Sequence, residues 1–172
     1  MADDALRAQA YEQLRQGLYE DAVLTFASCL ALEPNDPVAL QGRAIAWFQL
    51  KKWPEAQADF AAARAGNPDE PENWIGLGIS LAMQHQIYPA IDAIEALLAK
   101  QPAYVRGYIQ LGLLYLRLGL IPKGRAVMQQ ALAHRPTLDE RRFVESTLKE
   151  QAQLDKKRYY RPDFEALRRG RA

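Results

Sequence analysis

The sequence holds one cysteine, Cys29, and two histidines, His85 and His134, in 172 residues. A single thiol excludes an internal disulfide framework and a multi-cysteine zinc site. Two isolated imidazoles outside any H-E-x-x-H pattern leave little material for metal or acid–base chemistry. Charge of one sign is lacking as well. Lys+Arg 22 oppose Asp+Glu 21, a net of +1, so the chain as a whole is not an electrostatic nucleic-acid binder. There is no long apolar run: the longest charge-free stretch, Asn73 to Ile91, contains Gln84, His85, Gln86 and Pro89. No membrane insertion is expected. The acidic start Met1-Ala2-Asp3-Asp4, with no apolar segment behind it, reads as a cytoplasmic protein without a secretory signal. Catalytic signatures are missing too. There is no P-loop, no G-x-S-x-G and no glycine-rich turn after a strand, so no enzyme, metal or cofactor is expected.

What is present is a period. Pro34, Pro68, Pro102 and Pro136 stand 34 residues apart without an insertion. The step divides the chain into units 3–36, 37–70, 71–104 and 105–138. Each unit carries a small residue at position 8 (Ala10, Ala44, Gly78, Gly112) and another at position 20 (Ala22, Ala56, Ala90, Gly124). Position 24 is large and apolar: Phe26, Phe60, Ile94, Met128. Small residues let two helix backbones approach, and the large ones fill the space beside them. Pro54, Pro89 and Pro122 fall at the start of the second helix of a unit, where a missing N–H is harmless. No segment alternates as a strand does. The fold class is all-α, built from antiparallel helix pairs.

A 34-residue helix–turn–helix with this spacing resembles the tetratricopeptide repeat (TPR) family, whose pattern is W-x2-L-G-x2-Y, then A-x3-F, then P. The third unit has Trp74, Leu77 and Gly78, and the fourth Tyr108, Leu111, Gly112 and Tyr115. The first two units supply Ala22/Phe26 and Ala56/Phe60. The resemblance implies a right-handed α-solenoid of four hairpins, residues 3–138. Residues 139–156, with Phe143, Val144, Thr147, Leu148 and Leu154 giving one apolar stripe, read as a C-terminal capping helix.

The resemblance also implies that the first helix of each unit lines a concave wall, chiefly through unit positions 2, 5, 9, 12 and 13. Carried onto this chain, those positions nominate Ile45, Phe48, Ile75, Ile79, Met83, Ile109, Leu113 and Leu116 as a partner-binding groove. Such an apolar wall suits an extended or helical apolar segment of another protein. The family's carboxylate clamp is missing. Its positions hold Arg7, Tyr11, Gly42, Glu72 and Gly76 in one register and Gln41, Ile45, Gly76, Arg106 and Gln110 in the other.

Three readings of function follow: an adaptor or assembly scaffold, a dedicated chaperone similar in size to the TPR chaperones of type III secretion translocators, and a self-assembling structural protein. Residues 157–172 form a basic, aromatic tail. From Asp155 onward seven cations oppose three acids, a net of +4, which leaves −3 on the rest. Arg158, Tyr159, Tyr160, Arg161 and Phe164 are its candidate contact residues, either docking on the array or meeting a partner. Stacking on nucleic acid is the least expected use.

Overall fold

The computed structural model describes residues 2–159, and these form helices and turns with no strand. The helices are α1 (Ala2–Gln16), α2 (Tyr19–Leu32), α3 (Pro37–Gln49), α4 (Trp53–Gly66), α5 (Pro71–Met83), α6 (Ile87–Lys100), α7 (Val105–Arg117), α8 (Ile121–Ala133) and α9 (Leu138–Tyr159). The molecule is an all-α helical repeat solenoid.

Local chemistry sets the helix ends. Each first helix stops in the same way: the residue beyond its C-cap takes a left-handed conformation. These residues are Gly17, Lys51, His85 and Gly119, again 34 apart, with φ between 59° and 77°. Around each, two backbone hydrogen bonds close the terminus. Lys51 N–H donates to Phe48 and Lys52 N–H to Trp47, and His85 and Gln86 do the same to Ala82 and Leu81. This is the Schellman arrangement, which satisfies carbonyls the helix leaves open. Starts are fixed by caps and prolines. The Asp36 carboxylate accepts from the N–H of Val38 (3.0 Å) and Ala39 (3.3 Å), with Pro37 opening α3. Before α9, Thr137 and Glu140 cap each other reciprocally: Thr137 N–H donates to Glu140 Oε2 (2.8 Å) and Glu140 N–H to Thr137 Oγ1 (3.3 Å).

The pairs α1–α2, α3–α4, α5–α6 and α7–α8 pack side by side, and every second helix also packs on the next first helix. First helices touch their successors, α1 to α3, α3 to α5, α5 to α7 and α7 to α9, whereas among the described residues no second helix touches the next second helix. The first helices therefore lie closer together and form the inside of a curve.

Burial explains the junctions. Phe26 and Phe60 are 0% and 4% exposed. Their rings lie on Gly42 and Gly76 of the following first helix, where an added Cβ would come within 2.2 Å of Phe26 Cζ and 2.4 Å of Phe60 Cζ. These glycines sit at unit position 6, which the sequence period does not mark. Further along, Ile94 and Met128 turn instead onto Gly78 and Gly112 within their own pair. One junction is polar. Arg43 holds a place given to leucine in Leu77 and Leu111, and it donates to both oxygens of Asp59 at 2.7 and 2.8 Å. That bond raises the Arg43 pKa.

The helix expected at 139–156 is longer at both ends, running from Leu138 to Tyr159. Val144 is fully buried against Met128 and Ala131. The α9 residues at positions 4, 7, 8 and 11, which in earlier helices face their own partner, are Arg142, Glu145, Ser146 and Lys149, all exposed. That face of α9 offers no apolar stripe to a second helix of its own unit. Among the described residues no helix is long and apolar enough to cross a membrane.

Candidate functional site

From α3 to α9 the concave face repeats one register, continuing Arg7 and Tyr11 of α1. At position 5 stand Gln41, Ile75, Ile109 and Phe143; at position 9, Ile45, Ile79, Leu113 and Thr147. Between α3 and α5 the wall opens into a groove of about 380 Å³, lined by Gln41, Ile45, Phe48, Phe60, Glu70, Glu72, Ile75, Gly76, Ile79 and Arg106. Its floor is the Phe60 ring seen past Gly76, with Ile75, only 2% exposed, beside it. Because Gly76 has no side chain, the floor stays apolar and deep. Ile45 stands open at the side, 36% exposed. Phe48 is half-buried and held edge-on by Trp53, with ring centroids 4.9 Å apart.

The groove ends at a polar bridge between α5 and α7. The Glu72 carboxylate accepts from the Tyr104 hydroxyl and from the Arg106 guanidinium. Burial, and then the Glu72 carboxylate, push the Tyr104 hydroxyl pKa above its ordinary value. Glu70 caps α5 by accepting from Glu72 N–H at 3.3 Å. On the far side of the bridge, between α7 and α9, a second groove of about 320 Å³ is lined by Arg106, Ile109, Gln110, Asp139, Glu140 and Phe143. Arg106 borders both grooves.

The eight wall residues nominated by sequence therefore separate. Ile45, Phe48, Ile75 and Ile79 line the α3–α5 groove, and Ile109 lines the α7–α9 groove from a buried position, 6% exposed. Met83 is exposed on α5 but lines neither groove. Leu113 and Leu116 are half-buried and pack with the Met128–Val144 cluster. Leu116 lies over Gly124, where a Cβ would meet its Cγ at 2.8 Å, so it serves the joint between α7 and α8. Arg158 and Tyr159 end α9, while Tyr160, Arg161 and Phe164 lie outside the described residues. Sequence reasoning set Glu72 and Arg106 at wall positions without joining them, and it missed Phe60 and Gly76 as the floor, Glu70 at the rim, and Phe143. For Phe143 the signal was available, since it stands 34 residues after Ile109.

Cys29 is buried with Ala22 and Phe26. A cleft of about 500 Å³ at the α8–α9 junction is lined by Gly119, Ile121, Pro122, Arg125, Ala126, Gln129 and Asp155, and the Arg125–Asp155 ion pair (2.8 Å) lies in it. Among the described residues no three His, Cys, Asp or Glu side chains gather as metal ligands do.

Several solved structures share the fold. MamA 41-end from Desulfovibrio magneticus RS-1 is 25% identical, with a TM-score of 0.72 over 90% of this chain and 92% of that one. A thermophilic TPR protein in Thermus thermophilus is 22% identical, with a TM-score of 0.70 over 87% and 80%. The first TPR of Spaghetti (RPAP3), bound to the HSP90 peptide SRMEEVD, is 23% identical, with a TM-score of 0.64 over 68% and 93%. No curated protein matches the sequence. The tetratricopeptide repeat family model matches residues 7–71 and 89–139, more than half of the chain. The stretch between them carries α5 and the turn after it, which stack in the structure as the other first helices do. The chain belongs to the tetratricopeptide repeat family.

Proposed function

We propose that this protein is a protein-interaction adaptor, not an enzyme, and that it takes an apolar extended or helical segment of another protein on its concave face. The observation that carries the reading is the α3–α5 groove. It combines an apolar floor of Phe60 and Ile75 with open walls of Ile45, Phe48 and Ile79. A preformed cleft with apolar walls and a few polar groups at its edge is the usual form of a peptide site. The Spaghetti domain's HSP90 peptide shows that a related fold holds a peptide. The ligand class differs here, because each register of clamp positions holds a single arginine, Arg7 or Arg106, and not the set of cations and asparagines that an acidic peptide terminus requires. Exposed Met83 and half-buried Leu113 extend the contact surface along α5 and α7 for a longer segment, while Leu116 serves the α7–α8 joint.

Ile45→Arg tests this. The side chain is already half in water, so the melting transition should stay within about 0.5 kcal/mol of wild type. Capture of a defined protein from source lysate, confirmed with the purified partner by calorimetry, should be lost. Undiminished binding of that partner to the folded variant would remove the α3–α5 groove from the function. The partner's identity separates scaffold from chaperone.

A further inference from the structure

The α3–α5 groove has a filled counterpart in the same molecule. We infer, on the adaptor reading above, that the partner segment anchors in this groove through an aromatic side chain, tyrosine before the others. Its ring lies edge-on upon Phe60, and its hydroxyl donates to the acidic end of the groove.

The counterpart is the α1–α3 step, which has the same floor. The Phe26 ring lies on Gly42 as the Phe60 ring lies on Gly76. In the later steps the equivalent residues, Ile94 and Met128, are aliphatic and turn into their own helix pairs. The two steps with an aromatic floor differ at position 9 of the first helix, which is Tyr11 in α1 and Ile45 in α3. The Tyr11 ring stands on Phe26 with centroids 5.1 Å apart and planes at 82°, the edge-on geometry that aromatic pairs favour. Its hydroxyl reaches across to α3 and donates to the Val38 carbonyl at 3.1 Å. The first step therefore carries its own occupant. In the second, Ile45 has no ring to lay across the step, and the space above Phe60 is the groove of about 380 Å³.

Charge at the polar end points to the same occupant. The equivalent of Val38 is Glu72, and Glu70 lines the groove with it. Arg106 is already paired with Glu72. Two carboxylates against one guanidinium leave this end negative and rich in acceptors. A phenol hydroxyl can donate there, where the Tyr11 hydroxyl finds a carbonyl in the first step. A phosphorylated ring would be repelled by the same carboxylates. An aliphatic anchor would touch Ile45 and Ile79 but would leave both the ring contact and the acceptors unused.

Short random peptides displayed on phage test this. They are selected on the full chain, and those that bind it but not Ile45→Arg are kept. One position of the retained set should be aromatic, with tyrosine the commonest residue there. In a synthetic peptide from that set, replacing the tyrosine by phenylalanine should weaken binding about fivefold, and replacing it by leucine about tenfold or more. Ile45→Tyr offers a second measurement, since it supplies from within the ring that Tyr11 supplies one step earlier. The variant should melt as wild type does and should no longer bind the peptides. An aliphatic residue at the dominant position would overturn the aromatic anchor and leave the adaptor reading standing. So would peptides that bind Ile45→Tyr as tightly as wild type. If every selected peptide bound Ile45→Arg equally well, the groove itself would fall, and the anchor with it.

Discussion

The α3–α5 and α7–α9 grooves use the same repeat positions and present different surfaces. At position 5 the first pairs Gln41 with Ile75, and the second pairs Ile109 with Phe143. In the first, the neighbouring second helix contributes Phe60 as a floor, admitted by Gly76. In the second, the equivalent of Gly76 is the buried Val144, and the intervening second helix offers Met128, which turns to Gly112 within its own pair. The first groove is therefore deep and apolar, and the second is shallower with acids at its mouth. Between α5 and α7, where a third groove could open, the Glu72–Tyr104–Arg106 bridge ties the two helix starts together. The residue at position 6, glycine in one groove and valine in the other, and one polar bridge thus decide where an otherwise periodic wall has openings.

The sharpest way to break the comparison is to remove an aromatic from each groove. Phe60→Ala takes away a ring that is 4% exposed. It leaves a cavity under Gly76, and it should cost about 3–5 kcal/mol in chemical denaturation. Phe143→Ala removes a ring already half in water, and its cost should be about 0.5–1 kcal/mol. Equal losses would mean that Phe143 is as buried as Phe60 in solution.

The sequence period displayed the helix pairs and the turns, because a fixed 34-residue step forces equivalent residues into equivalent environments, while the first-helix wall was what the family resemblance implied. It did not show which wall residues face a cleft. Ile75 and Ile109 sit at the same position as Gln41 and are buried, since a neighbouring helix covers them. Leu116 shares its position with Phe48, yet Gly124 opposite it makes it a packing residue. These outcomes depend on the partner helix, and a pattern read along one helix does not contain its partner. The bridge was hidden for a related reason: Glu72 and Arg106 fall at the same wall position 34 residues apart, and the period does not say that they meet. The tail residues Tyr160, Arg161 and Phe164 lie outside the described residues.

The bridge offers a smaller test. Tyr104→Phe deletes the hydrogen bond to Glu72 and should cost about 1 kcal/mol at neutral pH, an interaction discounted because Glu72 and Arg106 are well exposed. The folded state holds the Tyr104 proton more tightly than the ordinary value of 10.0. Its stabilising effect is therefore whole below pH 10 and lost as pH rises beyond that value. The gap between wild type and Tyr104→Phe, measured by urea titration, should be constant through neutral pH and narrow in strong alkali. A constant gap throughout would mean the hydroxyl does not meet Glu72. A lowered gap without loosening of α7 against α5 would show that the bridge partitions the wall and adds little to the joint.

The smallest expected effects lie in the turns, and they separate the middle of the array from its ends. The left-handed position is glycine at Gly17 and Gly119 but Lys51 and His85 in the middle pairs. An L-residue there costs roughly 1–2 kcal/mol relative to a right-handed conformation. Replacing it with glycine returns part of that, against about 0.5–1 kcal/mol of added unfolded-chain entropy. His85→Gly and Lys51→Gly should therefore each stabilise by about 0.5–1 kcal/mol. The reverse change is clean at Gly119, where an added Cβ meets nothing within 4 Å. Gly119→Ala should destabilise by about 1 kcal/mol through conformation alone. Opposite signs in thermal melts would show that the second and third pairs carry backbone strain in their turns that the first and fourth lack. Were His85→Gly neutral or destabilising, the imidazole would have to make a contact in that turn that offsets the backbone cost.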